Sequence, residues 1–142
     1  MIGSLLSAMS ILTGTAIYLL LGNERLPICS WAAEIGLFKA LLPVRIQLAK
    51  LPLPEWFLYS LPDALWMFAL CTLTLSIWNF KLDRESFIWI ISVITLGMGY
   101  ELLQMTHLIG GTFDPIDLLL MFIAALIPLL FTFKTLLNET EN

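Results

Sequence analysis

Four long apolar runs separated by short polar breaks organise this chain, at about residues 2–22, 57–80, 87–109 and 115–133. Each comes close to or exceeds the roughly 20 apolar residues that a helix needs to cross a hydrocarbon core. None alternates with the two-residue period of a barrel strand. Backbone amides in lipid have to be satisfied within their own segment, so the pattern predicts helical spans. The expected fold class is all-α: an integral membrane four-helix bundle, with one membrane domain over residues 1–142 and an interfacial amphipathic segment between the first two spans. The first run lacks a basic leading region and a small-x-small cleavage site, so it is expected to stay as an anchor.

The connection over residues 23–56 is too apolar for a plain linker. From Ser30 to Leu42 it carries the mixed pattern of a helix lying in the headgroup layer. Pro43, Pro52 and Pro54 then punctuate the return to the membrane, where Trp56 and Tyr59 suit an interfacial belt. Arg25, Arg45 and Lys50 lie in this segment and are candidate headgroup-binding residues, because their charges would meet a lipid phosphate. The segment is either a cover for the bundle or a lid that touches ligand.

Composition agrees with the pattern, since 59% hydrophobic and 13% charged residues exclude a water-soluble globule. Seven basic residues against eleven acidic ones give no footing for nucleic acid. Cys29 falls in the first connection and Cys71 near the middle of the second span, depths too different for a disulfide between them. Basic residues divide almost evenly between the two sides. Weight on the short connection at Lys81 and Arg84, and on Lys134, favours both termini in the cytoplasm.

The polar residues within the spans carry the candidate chemistry. A charge at the centre of a membrane helix is disfavoured by about 2.5–3.5 kcal/mol on insertion scales, so intramembrane acids need a partner, a proton, water or a ligand. In a four-span chain the first and third connections emerge on one side, and the acids collect at that side. Asp63 begins the second span, Glu101, Gln104 and His107 occupy the last turns of the third, and Asp114 and Asp117 open the fourth. At about 100° per residue, Gly97, Tyr100, Glu101, Gln104 and His107 share one arc of roughly 120°. On the fourth span Asp114 and Asp117 share a face with Met121, Ala124, Ala125 and Pro128, whose small members permit close helix contact. Asp63, Trp66, Leu70 and Thr74 follow one side of the second span, so three helices would supply the pocket. The candidate acidic pocket is therefore Asp63, Tyr100, Glu101, Gln104, His107, Asp114 and Asp117. A plainer role for Asp114 is to cap the fourth span, since an Asp before Pro is a helix-start signal.

The stretch Glu101-Leu-Leu-Gln104, a Gly-rich turn, then Asp114 and Asp117-Leu-Leu resembles the signature of VanZ-like membrane proteins over about residues 97–134. Thr112-Phe113 stands where that family usually has an arginine, and Leu120-Met121 with Ala124-Ala125 replaces its Asn and Gly pattern. The resemblance implies a small protein of the bacterial cytoplasmic membrane associated with the cell envelope and glycopeptide-type resistance. It implies no settled reaction.

The leading functional expectation is binding or handling of a membrane lipid or amphiphilic envelope precursor in the acidic pocket. Two alternatives belong to other classes. In one, the protein is an accessory subunit that docks larger membrane-protein partners through the Ala-rich face of the fourth span. In the other, Glu101 or Asp117 acts as acid or base while the second acid and His107 hold water or a divalent metal. No nucleophile motif, P-loop, dinucleotide fingerprint or H-E-x-x-H sequence occurs, so neither a cofactor nor a metal is expected from motifs. Ion conduction ranks last, because the other half of spans two to four offers only Thr and Ser.

Overall fold

The computed structural model describes residues 2–23 and 26–140, the side chains of Pro27 and of residues 134–140 excepted. The described residues form seven helices and no strand: α1 (Ile2–Leu21), α2 (Pro27–Glu34), α3 (Leu37–Leu48), α4 (Glu55–Leu58), α5 (Ser60–Ile77), α6 (Arg84–Met105) and α7 (Pro115–Thr140). Among the described residues, four stretches are long and apolar enough to cross a membrane: α1, α5, α6 and residues Pro115–Phe133 of α7. The fold is the expected four-helix membrane bundle, and the chain is of the multi-pass kind.

Helix α5 is the centre of the bundle. It packs against α1 and α7, and along a shorter contact against α6. Half of its span is buried, compared with 17% for α1 and for α6. The core joins Ala64, Met67, Cys71 and Leu75 of α5 to Ile90 of α6 and to Met121, Ala124 and Ala125 of α7. Large side chains such as Leu12, Leu96, Leu130 and Phe131 point outward. Lipid tails are as apolar as leucine, so burying those side chains gains little, and small residues line the helix contacts instead. On α1 the buried positions are Gly3, Ser7, Gly14 and Tyr18. A Cβ on Gly14 would come within 2.8 Å of Trp66 Cδ1 and 3.0 Å of the Pro62 carbonyl, so glycine is what lets α1 lie against α5.

Helix ends depart from the apolar runs because local hydrogen bonding, not hydropathy, sets them. Asp83 accepts from the Ser86 amide at 2.8 Å while Ser86 Oγ accepts from the Asp83 amide at 3.0 Å, a capping box that starts the third span at residue 84, ahead of the expected 87. The Ser86 amide, helped by the Ser86 hydroxyl and the Glu85 amide, holds the exposed Asp83 carboxyl below the usual carboxylate range. The same span ends early: the Leu108 amide bonds Leu103 O, the His107 amide bonds Gln104 O, and His107 takes the left-handed φ of 58°. That is a Schellman ending with histidine in the place usually held by glycine. The second span stops at Ile77 in the same manner, with Asn79 at φ 51°.

The connection between α1 and α5 differs from the expected single helix over Ser30–Leu42. Gly36, at φ 76°, divides it into α2 and α3, and Pro43 lies inside α3 instead of ending it. The expected face of the second span is also redrawn. Leu70 is exposed, and Thr74 turns its hydroxyl back to Leu70 O at 2.8 Å, whereas Ala64, Met67, Cys71 and Leu75 face the core. Neither cysteine is in a disulfide, and both are buried.

Candidate functional site

Three helix ends meet at one end of the bundle, and each delivers one carboxylate. Asp63 and Asp117 sit in the first turns of α5 and α7, where the unsatisfied amides and the helix dipole favour negative charge. Glu101 comes from the last turns of the antiparallel α6. One ligand oxygen from each of these residues lies within 4.8 Å of those from the other two. Glu101 and Asp117 are more than nine-tenths buried, and Asp63 is partly buried.

The site is built from local rules. Asp114 accepts from the Ile116 amide at 2.8 Å and so caps α7, with Pro115 as its first helical residue. This fixes Asp117 one turn in, facing the bundle on the same stripe as the buried Met121, Ala124, Ala125 and Pro128. The Asp114 amide is directed at Glu101. Gln104, also buried, packs its amide on Gly111, where an added Cβ would come within 2.6 Å of Gln104 Cδ. Gly97 lets α6 approach Met67 and Met121, since a Cβ there would lie 2.4 Å from Met67 Cε.

A fourth helix contributes a residue that the sequence reading missed. The Tyr18 hydroxyl, from the last turn of α1, lies 2.7 Å from Asp63 Oδ1 and 3.0 Å from the Tyr59 carbonyl. Its ring meets Trp66 edge-on, with centroids 5.5 Å apart. Ser60 is also new: fully buried at the start of α5, its hydroxyl faces Asp117 without completing a hydrogen bond. A signal for Tyr18 existed, because Gly3, Ser7, Gly14 and Tyr18 recur at intervals of four, seven and four and mark one face of α1.

Of the other expected pocket residues, Tyr100 is exposed and His107 lies beyond the end of α6 on the surface. Neither joins the cluster. Asp114 serves as a cap at its edge. Arg25 lies outside the described residues. Arg45 donates to the carbonyls of Leu19 and, at 2.8 Å, of Gly22, and stacks on Phe38 with 4.2 Å to the ring centroid. It therefore closes the carbonyl end of α1, an end that lacks basic residues of its own. Lys50 is exposed at the turn after α3. Beside Arg45, a cavity of about 380 Å³ opens between the end of α1, α3 and α4, lined largely by Leu20, Leu42, Ile46, Leu53 and Leu58.

Charge bookkeeping limits what the cluster can be. Two unit charges 4.8 Å apart repel by about 3.5 kcal/mol at an effective dielectric constant of about 20. Three ionised carboxylates would carry three such terms, of order 10 kcal/mol in all. Glu101 Oε2, Asp117 Oδ1 and Ser60 Oγ are buried without a hydrogen-bond partner, and each such group costs about 1–3 kcal/mol or more. The cluster thus calls for protons, a cation or a donor-bearing ligand. No protein-family model, curated protein or solved structure matches this chain.

Proposed function

We propose that this is a VanZ-like protein of the bacterial cytoplasmic membrane, with both termini in the cytoplasm, that binds a lipid or envelope precursor through its carboxylate cluster. The observation that carries the reading is the convergence of Asp63, Glu101 and Asp117 from three helices, with two of their buried oxygens lacking a protein donor. Unsatisfied acceptors in a dry setting favour a ligand headgroup that brings amine or hydroxyl donors. The rest of the ligand has a place to go. The leucine-lined cavity under α3 lies at the same end of the bundle, and Leu58 on its wall precedes Tyr59, whose carbonyl accepts from the Tyr18 hydroxyl beside Asp63. Arg45 on its wall would meet a phosphate with whatever donor capacity its two helix carbonyls leave. Such a protein binds and presents its ligand and needs no covalent step.

The test is lipid analysis of the purified protein by native mass spectrometry, comparing wild type with Glu101→Gln. The substitution keeps shape and removes charge. A retained amphiphile that is lost or at least several-fold depleted in the variant, with helical content unchanged, supports the reading. Equal lipid content in both proteins overturns it.

A further inference from the structure

The carboxylate cluster has the makings of a metal site that no sequence motif announces. Its ligand oxygens come from one Asp in α5, one Glu in α6 and one Asp in α7, all within 4.8 Å of one another. The second and independent sign is Ser60. Its side chain is fully buried, points at Asp117, and has no hydrogen-bond partner. A buried hydroxyl next to a carboxylate would ordinarily donate to it, so a geometry that leaves both Ser60 Oγ and Asp117 Oδ1 unpartnered keeps their lone pairs available to a third body. Glu101 Oε2 is a further buried oxygen in that condition.

We propose that Asp63, Glu101 and Asp117 bind one hard divalent cation, of the Ca²⁺, Mg²⁺ and Mn²⁺ class, with Ser60 as an additional oxygen ligand directly or through water.

The donor set selects the class. The side-chain ligands that converge here, Asp63, Glu101, Asp117 and Ser60, all offer oxygen, while His107 is out on the surface and both thiols lie elsewhere, Cys29 against the Tyr18 carbonyl and Cys71 against Met67. Oxygen-only sites suit Ca²⁺, Mg²⁺ and Mn²⁺, whereas zinc and copper prefer nitrogen and sulfur. The spacing also bears on size. Three oxygens all within 4.8 Å of one another lie no more than about 2.8 Å from a common centre, against about 2.3–2.6 Å to Ca²⁺ and about 2.0–2.1 Å to Mg²⁺. A set within 4.8 Å needs little movement for the larger ion and a modest contraction for the smaller one. Tyr18 supports the arrangement from outside by holding Asp63 Oδ1 at 2.7 Å, which fixes that carboxylate's orientation. A divalent charge offsets the mutual repulsion of the carboxylates, and it would also attract the phosphate of an anionic amphiphile. Cation binding nonetheless stands on this geometry alone and does not depend on lipid being the physiological ligand.

The probe is Mn²⁺. Full-length protein in detergent is stripped with EDTA and titrated while the free Mn²⁺ signal is followed by electron paramagnetic resonance. The expected result is about one bound ion per chain, displaced by Ca²⁺ or Mg²⁺ but not by K⁺. Glu101→Gln and Asp117→Asn should each weaken binding at least tenfold, the order seen when a metal's supporting groups are lost. Tyr100→Phe and His107→Ala should leave it unchanged. Should either acid variant fail to fold, Ser60→Ala, a smaller change at the same site, takes its place with an expected loss of several-fold. Absence of saturable Mn²⁺ binding, or binding unaltered in the folded acid variants, overturns the inference. Lipid retention measured on the same samples separates the two ideas, since lipid kept without Mn²⁺ binding refutes the cation and leaves the lipid reading standing.

Discussion

Adjacent glycines in the turn between α6 and α7 provide an internally controlled test of how the site is held. Gly111 has φ of 134°, and a Cβ on it would sit 2.6 Å from Gln104 Cδ and 2.7 Å from Nε2. Gly110 is not among the positive-φ residues and has nothing within 4 Å of its would-be Cβ. In Gly111→Ala the strained backbone costs about 1–3 kcal/mol, and the intrusion, which falls on the movable far end of the Gln104 side chain, adds about 1 kcal/mol. The lower entropy of the unfolded chain returns about 0.4–1 kcal/mol. The net loss is about 1–3.6 kcal/mol, or about 5- to 400-fold in the unfolding equilibrium. Gly110→Ala keeps only the entropic gain and should be more stable than wild type by about 0.4–1 kcal/mol. Reversible unfolding by dodecyl sulfate in mixed micelles, followed by far-ultraviolet circular dichroism, compares the two directly. If both variants unfold together, the packing of Gln104 on Gly111 is not what shapes this turn.

Asp114→Asn should be mild in both unfolding and lipid retention, because asparagine is an equally good amino-terminal cap; a loss as severe as that of Glu101→Gln would move Asp114 from cap to ligand. Single cysteines at positions 45 and 112, in a background lacking Cys29 and Cys71, should label from one side of the membrane and cysteines at 81 and 135 from the other. Opposite labelling of 45 and 112 would break the shared-end arrangement. Acidification should loosen the start of α6. The Asp83 carboxyl is held below its ordinary value by the Ser86 amide, so its contribution is complete above the unfolded value of about 4 and disappears as pH falls through the lower folded value. Hydrogen-exchange protection at Ser86 and Phe87, taken relative to the intrinsic rate at each pH, should therefore fall only in strong acid, and Asp83→Asn should remove most of that dependence; a fall already near pH 6 would contradict the assignment.

The spans were legible in the sequence because about 20 apolar residues admit few other structures. Their ends were not, since Asp83-x-x-Ser86 and the histidine-closed ending of α6 are hydrogen-bond devices that hydropathy does not register. Glu101, Gln104 and Asp117 were legible because polar groups amid apolar runs have few tolerable positions. Tyr100 was misplaced for a geometrical reason. The buried line of α6 runs through Ser86, Ile90, Glu101 and Gln104, and Tyr100 lies about 100° away from Glu101, outside the narrow contact that α6 makes with α5 and α7. His107 was placed by extrapolating a helix that had already ended. Tyr18 was passed over because a phenol in an apolar helix looks like one more aromatic. Only the spacing of Gly3, Ser7 and Gly14 betrays the face it shares. Arg45, expected at a lipid headgroup, also makes a long-range cap on α1 that no local motif encodes.

The central claim is that Glu101 and Asp117 act as one site on one ligand, and a double-mutant cycle on retained lipid tests it most directly. Lipid affinity is measured by native mass spectrometry for wild type, Glu101→Gln, Asp117→Asn and the double variant. Groups that share a ligand are coupled by about 0.5–3 kcal/mol, so the double variant should lose little more than the worse single variant. Losses that simply add, or single variants that bind as wild type does, would contradict the account.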